Sequence, residues 1–207
     1  MSLAEAVARV QAADAELLAA GPRPFPLPAA GLEAVVAGSV TALSRADWWV
    51  PGLRERVGAV LRDVPIARLI EGTGGAKPYR VAPPSPSPAL RALYAVGLGL
   101  HGDGSALVHL GVGSCSDGAF HEALNLAALT GSDVIFVVAI HPLDGDAPLG
   151  PQLAGTPAAM AAAFGLATAT VAGDDAQAVH DAVAAAKAAG GPHLIEARLP
   201  SRHSETP

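Results

Sequence analysis

The sequence predicts an α/β fold in which a parallel sheet carries helices on both faces, behind a helical N-terminal part. In the second half of the 207-residue chain, short apolar runs alternate with helical patterns, as in consecutive strand–helix–strand units. The composition, with 51% hydrophobic, 4% aromatic and 15% charged residues, favours an interior of small side chains. We expect a single domain over residues 1–207, with a mainly helical front (1–100), a parallel α/β core (101–200) and a flexible tail (201–207).

The front consists of predicted helices separated by connections rich in glycine and proline. The first helix ends at Gly21, before four prolines that indicate a linker. Residues 47–51 are interpreted as a rigid connection between the next two helices, and residues 72–88, rich in Gly, Pro and Ser, as a long loop. The helices are predicted at residues 2–20, 30–44, about 52–62 and 89–100.

The core follows a different pattern, because apolar runs now alternate with helical segments. A turn at residues 102–104 precedes the first of these runs. Strands are predicted at residues 106–110, 134–140, 168–171 and 193–197. Helices are predicted at residues 119–129 and 175–189. Strands that alternate with helices in this way form a parallel sheet covered on both faces.

Charge and apolar run lengths exclude several function classes. The chain has 13 basic and 19 acidic residues, and its Lys and Arg residues are scattered, so we expect no nucleic-acid partner. Its most apolar stretch, residues 134–140, is far below the about 20 residues that span a bilayer, and residues 1–5 lack a basic leader region. We therefore predict a cytoplasmic protein without a membrane partner. The single cysteine, Cys115, cannot form an internal disulfide and is interpreted as a small buried residue or a low-pKa thiol.

A glycine-rich loop between the first core strand and the following helix is the most suggestive segment for binding. It contains Gly111, Val112, Gly113 and Ser114, and backbone N–H groups at such a junction favour an anion. The complete dinucleotide fingerprint requires a glycine where Ser116 stands. The residues alone thus leave open a phosphate-binding loop and a plain tight turn between strand and helix.

Several segments match one family in order along the chain. The longest, residues 111–138, resembles the thiamine-diphosphate-binding core of the alpha subunit of 2-oxo-acid dehydrogenases of the pyruvate, branched-chain and acetoin types. Shorter segments that are similar to motifs of the same family lie at residues 31–38, 47–55, 94–97, 171–179 and 194–204. The resemblance implies a thiamine-diphosphate-binding fold and predicts pairing with a second alpha-type chain, a beta-type subunit, or both.

The metal ligands that this resemblance implies are replaced here. In the family, the Asp of G-D-G, the second Asn of an N-N pair and a nearby backbone carbonyl bind the divalent ion that holds the cofactor diphosphate. The corresponding positions are Val112, His141 and Leu143. Mg²⁺ prefers oxygen ligands in octahedral geometry. We therefore expect that the chain binds neither the metal nor a cofactor. If the family function is retained, the expected cofactor is thiamine diphosphate with Mg²⁺.

At other positions that the resemblance marks, this chain keeps some of the family's residues and replaces others. Arg54 stands where the family contacts the diphosphate, although the tyrosine beside it is Leu53 here. Arg91 replaces a glutamine that contacts the cofactor. His203 matches a histidine with a general acid/base or diphosphate-contacting role, or else belongs to a disordered tail. His203 is thus the predicted catalytic residue. The predicted cofactor-binding positions are Arg54, Gly111, Val112, Gly113, Ser114 and His141.

The resemblance and the substitutions together leave three hypotheses. The first is a reduced alpha-subunit-like protein, shorter than a complete alpha subunit, with a non-catalytic structural or regulatory role. The second is an active thiamine-diphosphate-dependent 2-oxo-acid dehydrogenase component that works with a beta-type subunit. The third is a protein that binds another phosphorylated small molecule at residues 111–115, with Arg54 as the cation.

Overall fold

A computed structural model describes residues 1–21, 27–72, 77–83, 85, 87–101, 103–141 and 153–200. Its centre is a five-stranded sheet of order β1-β2-β3-β5-β4, in which every neighbouring pair of strands is parallel. The strands are β1 (Trp48–Val50), β2 (Ala106–Gly111), β3 (Val134–Ile140), β4 (Ala167–Ala172) and β5 (His193–Arg198). The predicted parallel sheet is therefore confirmed.

Helices form the layers around this sheet. The α-helices are α1 (Leu3–Ala19), α2 (Glu33–Thr41), α3 (Ile66–Ile70), α4 (Leu90–Gly99), α5 (Gly118–Thr130), α6 (Pro157–Ala163) and α7 (Ala176–Ala189). In addition, 3₁₀ helices cover Glu55–Arg62, Lys77–Tyr79 and Val112–Ser116. Within the described part of the chain, no helix is long and apolar enough to cross a bilayer.

Both faces of the sheet are covered, as the sequence predicts. Successive side chains of a strand point to opposite faces, so β3 contributes to two separate clusters. Ile135 and Val137 pack with residues of α1, α2 and α7 on one face. Phe136 and Val138 pack with residues of α4, α5 and α6 on the other. The front of the chain thus supplies a helical layer for the core sheet.

Local capping fixes where several of these helices begin. Ser2 accepts a hydrogen bond from the Glu5 amide while Glu5 accepts one from the Ser2 amide, which starts α1 with a capping box. Asp117 accepts from the Ala119 amide at the start of α5, and Asp175 accepts from two amides at the start of α7. The α5 cap sets the direction of the chain directly after the glycine-rich loop.

Residues 47–51 require a correction, because three of them form a strand of the sheet and are more than a rigid connection. Trp48 and Val50 pair in parallel with Ala106 and Val108 of β2. Trp49, between them, is fully buried. A three-residue strand is too short to show the alternation that identifies strands in sequence. The front thus adds β1 to one side of the sheet.

Other differences concern short helices. The third predicted helix is a 3₁₀ helix over Glu55–Arg62, and α3 and α6 were not predicted. The predicted long loop at residues 72–88 contains the 3₁₀ helix Lys77–Tyr79. Five to eight residues carry too few apolar positions to establish a helical period. These elements are therefore weakly encoded in the local sequence.

A buried ionic network ties the front to the core at the amino end of the sheet. The Asp47 carboxylate accepts hydrogen bonds from the amides of Ser44 and Ser105 and lies 2.6 Å from the Lys187 ammonium. Arg62 donates to the Asp47 carbonyl at 2.8 Å. Burial acts to raise the pKa of Asp47, but Lys187 and the Ser44 amide outweigh it and hold the pKa below its usual value. This network stabilises the amino end of the sheet.

Candidate functional site

The candidate site is a cleft of about 530 Å³ at the carboxyl ends of β2 and β3. Open parallel sheets commonly bind ligands at this edge, because the loops after neighbouring strands diverge there. The size falls in the range of small-molecule sites. The lining includes front and core residues: Leu27, Leu32, Leu53, Arg54, Glu55, Pro88, Arg91, Gly111, Val112, Gly113, Ser114, Ala139 and His141.

The glycine-rich loop forms one wall of this cleft. Strand β2 ends at Gly111, and the chain then turns into the 3₁₀ helix Val112–Ser116 before α5 begins. Gly111 and Gly113 are exposed and Ser114 is half-buried, whereas Val112 is buried in the cluster beneath α5. The loop thus presents backbone to the cleft and an isopropyl group at the position that the family resemblance assigns to a carboxylate.

Arg54 is fixed at the mouth of the cleft, just before the 3₁₀ helix Glu55–Arg62. Its Nε donates to the Pro28 carbonyl at 3.0 Å, and its Nη2 donates to the Ala30 carbonyl at 2.9 Å. Carbonyl partners position a guanidinium without neutralising its charge. Arg54 therefore keeps a positive charge at the cleft.

His141 follows β3 directly and faces Arg54. Arg54 Nη1 lies 3.4 Å from Nε2 of His141. Because a guanidinium has only donors, this contact is a hydrogen bond when Nε2 is the unprotonated acceptor. The structure thus joins the two chain segments that the sequence marks as cofactor-binding, although 87 positions separate them.

Two charged side chains that were not among the predicted site residues lie deeper in the cleft. Arg91, on α4, is 5% exposed, and Glu55 is 6% exposed. Both approach Gly52: a Cβ there would collide with the Glu55 carboxylate and lie 3.2 Å from Nη2 of Arg91. Burial raises the pKa of the Glu55 carboxyl. Burial also lowers the pKa of the Arg91 guanidinium, and the nearby Glu55 charge reduces that lowering.

His109, on β2, is a further buried polar group. Its Nδ1 accepts a hydrogen bond from Nε1 of Trp49 at 3.1 Å, so the neutral ring carries its proton on Nε2. Burial, with a smaller contribution from the Arg91 charge, lowers the pKa of His109 to about 3. No hydrogen-bond partner of Nε2 is found among the residues that the structure describes.

The predicted binding residues meet in one place, but the predicted catalytic residue is not among those described. Arg54, Gly111, Val112, Gly113, Ser114 and His141 all line the cleft. His203 and Leu143 lie outside the described residues. The resemblance had marked Arg91 as the replacement of a glutamine that contacts the cofactor, but only the structure shows that its side chain is buried on α4 beside the cleft.

Cys115, beside the loop, is a buried side chain rather than a reactive thiol. It is fully buried. Burial, and to a lesser degree the Glu196 carboxylate, raises the pKa of the Cys115 thiol to about 12. A thiol with such a pKa remains protonated at neutral pH. Of the two interpretations of Cys115, the structure thus supports the small core residue.

Comparison with solved structures identifies the fold. A transketolase from Leishmania mexicana superimposes with a TM-score of 0.72 at 16% identity, over 96% of this chain and 37% of the transketolase. A mutant transketolase from Pichia stipitis gives a TM-score of 0.74 at 17% identity, over 94% of this chain and 36% of that one. At these identities the likeness shows the fold alone, and that fold is the predicted thiamine-diphosphate-binding fold.

Comparison of sequences then gives the family. The family described as "Dehydrogenase E1 component" matches residues 101–199. The 3-methyl-2-oxobutanoate dehydrogenase subunit alpha of Mycobacterium tuberculosis is 32% identical over 187 residues, which cover 82% of this chain and 51% of that protein. The 2-oxoisovalerate dehydrogenase subunit alpha of Bacillus subtilis is 31% identical over 205 residues, covering 85% of this chain and 62% of that one.

The chain is similar to the dehydrogenase E1 component family over residues 101–199 and to dehydrogenase alpha subunits over 82–85% of its length. This confirms the resemblance found in the sequence. The chain spans about half to three fifths of the length of these curated relatives.

The resemblance implies a Mg²⁺ ion in the cleft, whose side chains offer a different set of donors. Val112 offers a hydrocarbon surface, and His141 offers a nitrogen that faces the Arg54 guanidinium. Mg²⁺ prefers oxygen ligands, and a guanidinium at this distance repels a divalent cation. Among the described residues there is also no cluster of three His, Cys, Asp or Glu side chains. The donor set therefore does not fit Mg²⁺ at this place.

Proposed function

We propose that the protein is a dehydrogenase alpha-subunit-like protein without metal-anchored thiamine diphosphate, with a non-catalytic structural or regulatory role in a dehydrogenase assembly. The observation that carries this proposal is the donor set at the carboxyl ends of β2 and β3. Val112 is buried there as an apolar side chain, and His141 pairs with Arg54. Neither position supplies the oxygen ligand that Mg²⁺ requires.

Electrostatics supports the same proposal. A buried diphosphate without a counterion costs several kcal/mol. Arg54 already donates to two backbone carbonyls, and the Glu55 carboxylate lies in the same cleft. The described residues of the cleft thus provide no site for the divalent ion that offsets the diphosphate charge in the family. A thiamine diphosphate bound as in an active dehydrogenase is disfavoured by this arrangement.

The surface of the chain supports a role in an assembly. Only 15% of its residues are charged. On neighbouring helices, Tyr94 of α4 and Leu129 of α5 are 47% and 76% exposed. Exposed apolar side chains of this size are typical of interaction surfaces when they cluster. We propose a second copy of the chain, a beta-type dehydrogenase subunit, or both as partners, in the cytoplasm.

Thermal unfolding with millimolar thiamine diphosphate and Mg²⁺ tests the proposal. We expect no rise in Tm for the wild type, either alone or mixed with a beta-type subunit. A ligand at 100 times its Kd adds about 2.7 kcal/mol, which corresponds to roughly 5–10 °C for a chain of this size. A Mg²⁺-dependent rise of that order in the wild type would contradict the proposal and favour the active dehydrogenase component.

A double variant provides the matched arm of this experiment. Val112→Asp with His141→Asn places oxygen ligands at both positions, so Mg²⁺ and thiamine diphosphate together should raise its Tm. Each protein is compared with itself with and without ligand, because a buried aspartate at position 112 also lowers the ligand-free stability. An unchanged Tm in the folded double variant would assign the loss of binding to further positions.

A further inference from the structure

Arg91 is the most unusual charged group in the cleft. Its side chain is 5% exposed, and its Nε has no hydrogen-bond partner among the described residues. No ion pair of Arg91 is found within that part of the chain either, although the Glu55 charge acts on it. Buried guanidinium groups normally have their donors paired. Arg91 thus lines the cleft with an Nε donor that the described residues leave unused.

Positive charge predominates among the charged side chains of the described residues that line the cleft. Arg54 adds a second guanidinium to that of Arg91, and backbone carbonyls hold it in place. Glu55 is the one carboxylate among these described lining residues, and it is almost completely buried. A ligand with several acceptor oxygens would satisfy these donors, whereas a cation would be repelled.

We propose that this cleft binds a small molecule carrying a phosphate or carboxylate group without any divalent cation, and that Arg91 is the residue that anchors the anion. Arginine suits this role because its planar fork donates two parallel hydrogen bonds to such groups. The Glu55 carboxylate and the Arg91 guanidinium can both approach Gly52 because that residue has no Cβ. The proposal goes beyond the proposed function, since it assigns a ligand class to the cleft.

Titration calorimetry in EDTA, with inorganic phosphate in one arm and malonate in the other, tests this inference on the full chain. We expect at least one of the two anions to bind the wild type without a metal, and the preferred anion distinguishes the phosphate from the carboxylate class. Binding of neither anion at millimolar concentration would overturn the proposal.

Two variants of the cleft should change the affinity in opposite directions. Arg91→Gln removes the charge and should raise Kd roughly ten- to a hundred-fold, as expected for a hydrogen bond to a charged group. Glu55→Gln removes the competing carboxylate and should lower Kd by about threefold or more. An Arg91→Gln protein that melts cooperatively and binds as the wild type does would overturn the proposal.

Controls separate the anchor from general charge effects and from folding. Arg9→Gln changes the net charge by the same amount, but Arg9 lies in a different groove beside α1, so Kd should stay as in the wild type. If Arg91→Gln does not fold, Glu55→Gln decides, and an unchanged or higher Kd in that variant overturns the proposal. Loss of metal-free anion binding leaves the proposed function intact, whereas a Mg²⁺-dependent response to thiamine diphosphate contradicts only the proposed function.

Discussion

Single side chains decide what the carboxyl edge of this sheet can bind. Val112 and His141 stand at the ends of adjacent strands, where the backbone follows the path of the family fold. Val112 presents an isopropyl group and His141 an imidazole, so neither side chain supplies the oxygen ligand that Mg²⁺ prefers. Strand pairing uses backbone groups, so it does not require oxygen-bearing side chains at these positions.

His109 gives a prediction for pH dependence. Its pKa is lowered from 6.5 to about 3 by burial, so the native protein keeps it neutral while the unfolded chain protonates it below about pH 6.5. Stability should therefore fall as the pH drops through this window, by roughly 1.4 kcal/mol per pH unit from this group. Urea unfolding between pH 6.5 and 5 measures the slope.

The variant His109→Gln should reduce that slope, because glutamine keeps an acceptor for Trp49 but has no titrating ring. The exposed His121 supplies a control, since His121→Gln should keep the wild-type slope. Equal slopes in His109→Gln and the wild type would show that other groups cause the acid sensitivity.

At the scale of elements, the packing of α2 on α7 depends on a close approach at Gly38. A Cβ at this position would lie 2.5 Å from the Ala176 carbonyl oxygen and 2.9 Å from Cβ of Val179. The two helices would have to move apart to admit it. We expect Gly38→Ala to lower the free energy of unfolding by about 1–3 kcal/mol, measured by urea denaturation.

Gly97 in α4 is the matched control for this prediction. No atom lies within 4 Å of a Cβ built there. Alanine at a helical glycine without a steric conflict stabilises by about 0.5–1 kcal/mol. The two glycine-to-alanine changes should thus have opposite signs. A stabilising Gly38→Ala would mean that α2 and α7 are packed less closely than the structure shows.

The strands also show which elements the local sequence predicts and which it does not. Strand β3 was predicted with the bounds that the structure has, since its seven residues are continuously apolar. Strand β1 was missed because its three residues become a strand only through pairing with β2, 58 residues away in the chain. Long elements carry their own periodic signal, whereas short ones depend on distant partners.

At the scale of the whole molecule, the sheet is covered unevenly. Strand β3 has a neighbour on each side and is almost fully buried, whereas β4 pairs only with β5 and most of its residues are exposed. Local opening costs least where few buried contacts hold the backbone. Hydrogen exchange of the isolated chain should therefore be slowest in β3 and much faster in β4.

Addition of a beta-type subunit or a high protein concentration extends this measurement to the assembly. Protection that increases in β4 would place the interface at that edge of the sheet, and protection that increases in α4 and α5 would place it at their exposed apolar residues. Equal exchange in β3 and β4 of the isolated chain would contradict the uneven coverage seen in the structure.

The sequence by itself predicted the parallel α/β architecture and the resemblance to dehydrogenase alpha subunits, and it places valine and histidine at positions 112 and 141. These follow from apolar runs and ordered motifs, which are local in the chain. Only the tertiary structure decided that Arg91 and Glu55 are buried in the same cleft and that Arg54 contacts His141. Burial and contact between segments tens of residues apart depend on how α4, the front and β3 pack, and no local pattern records that packing.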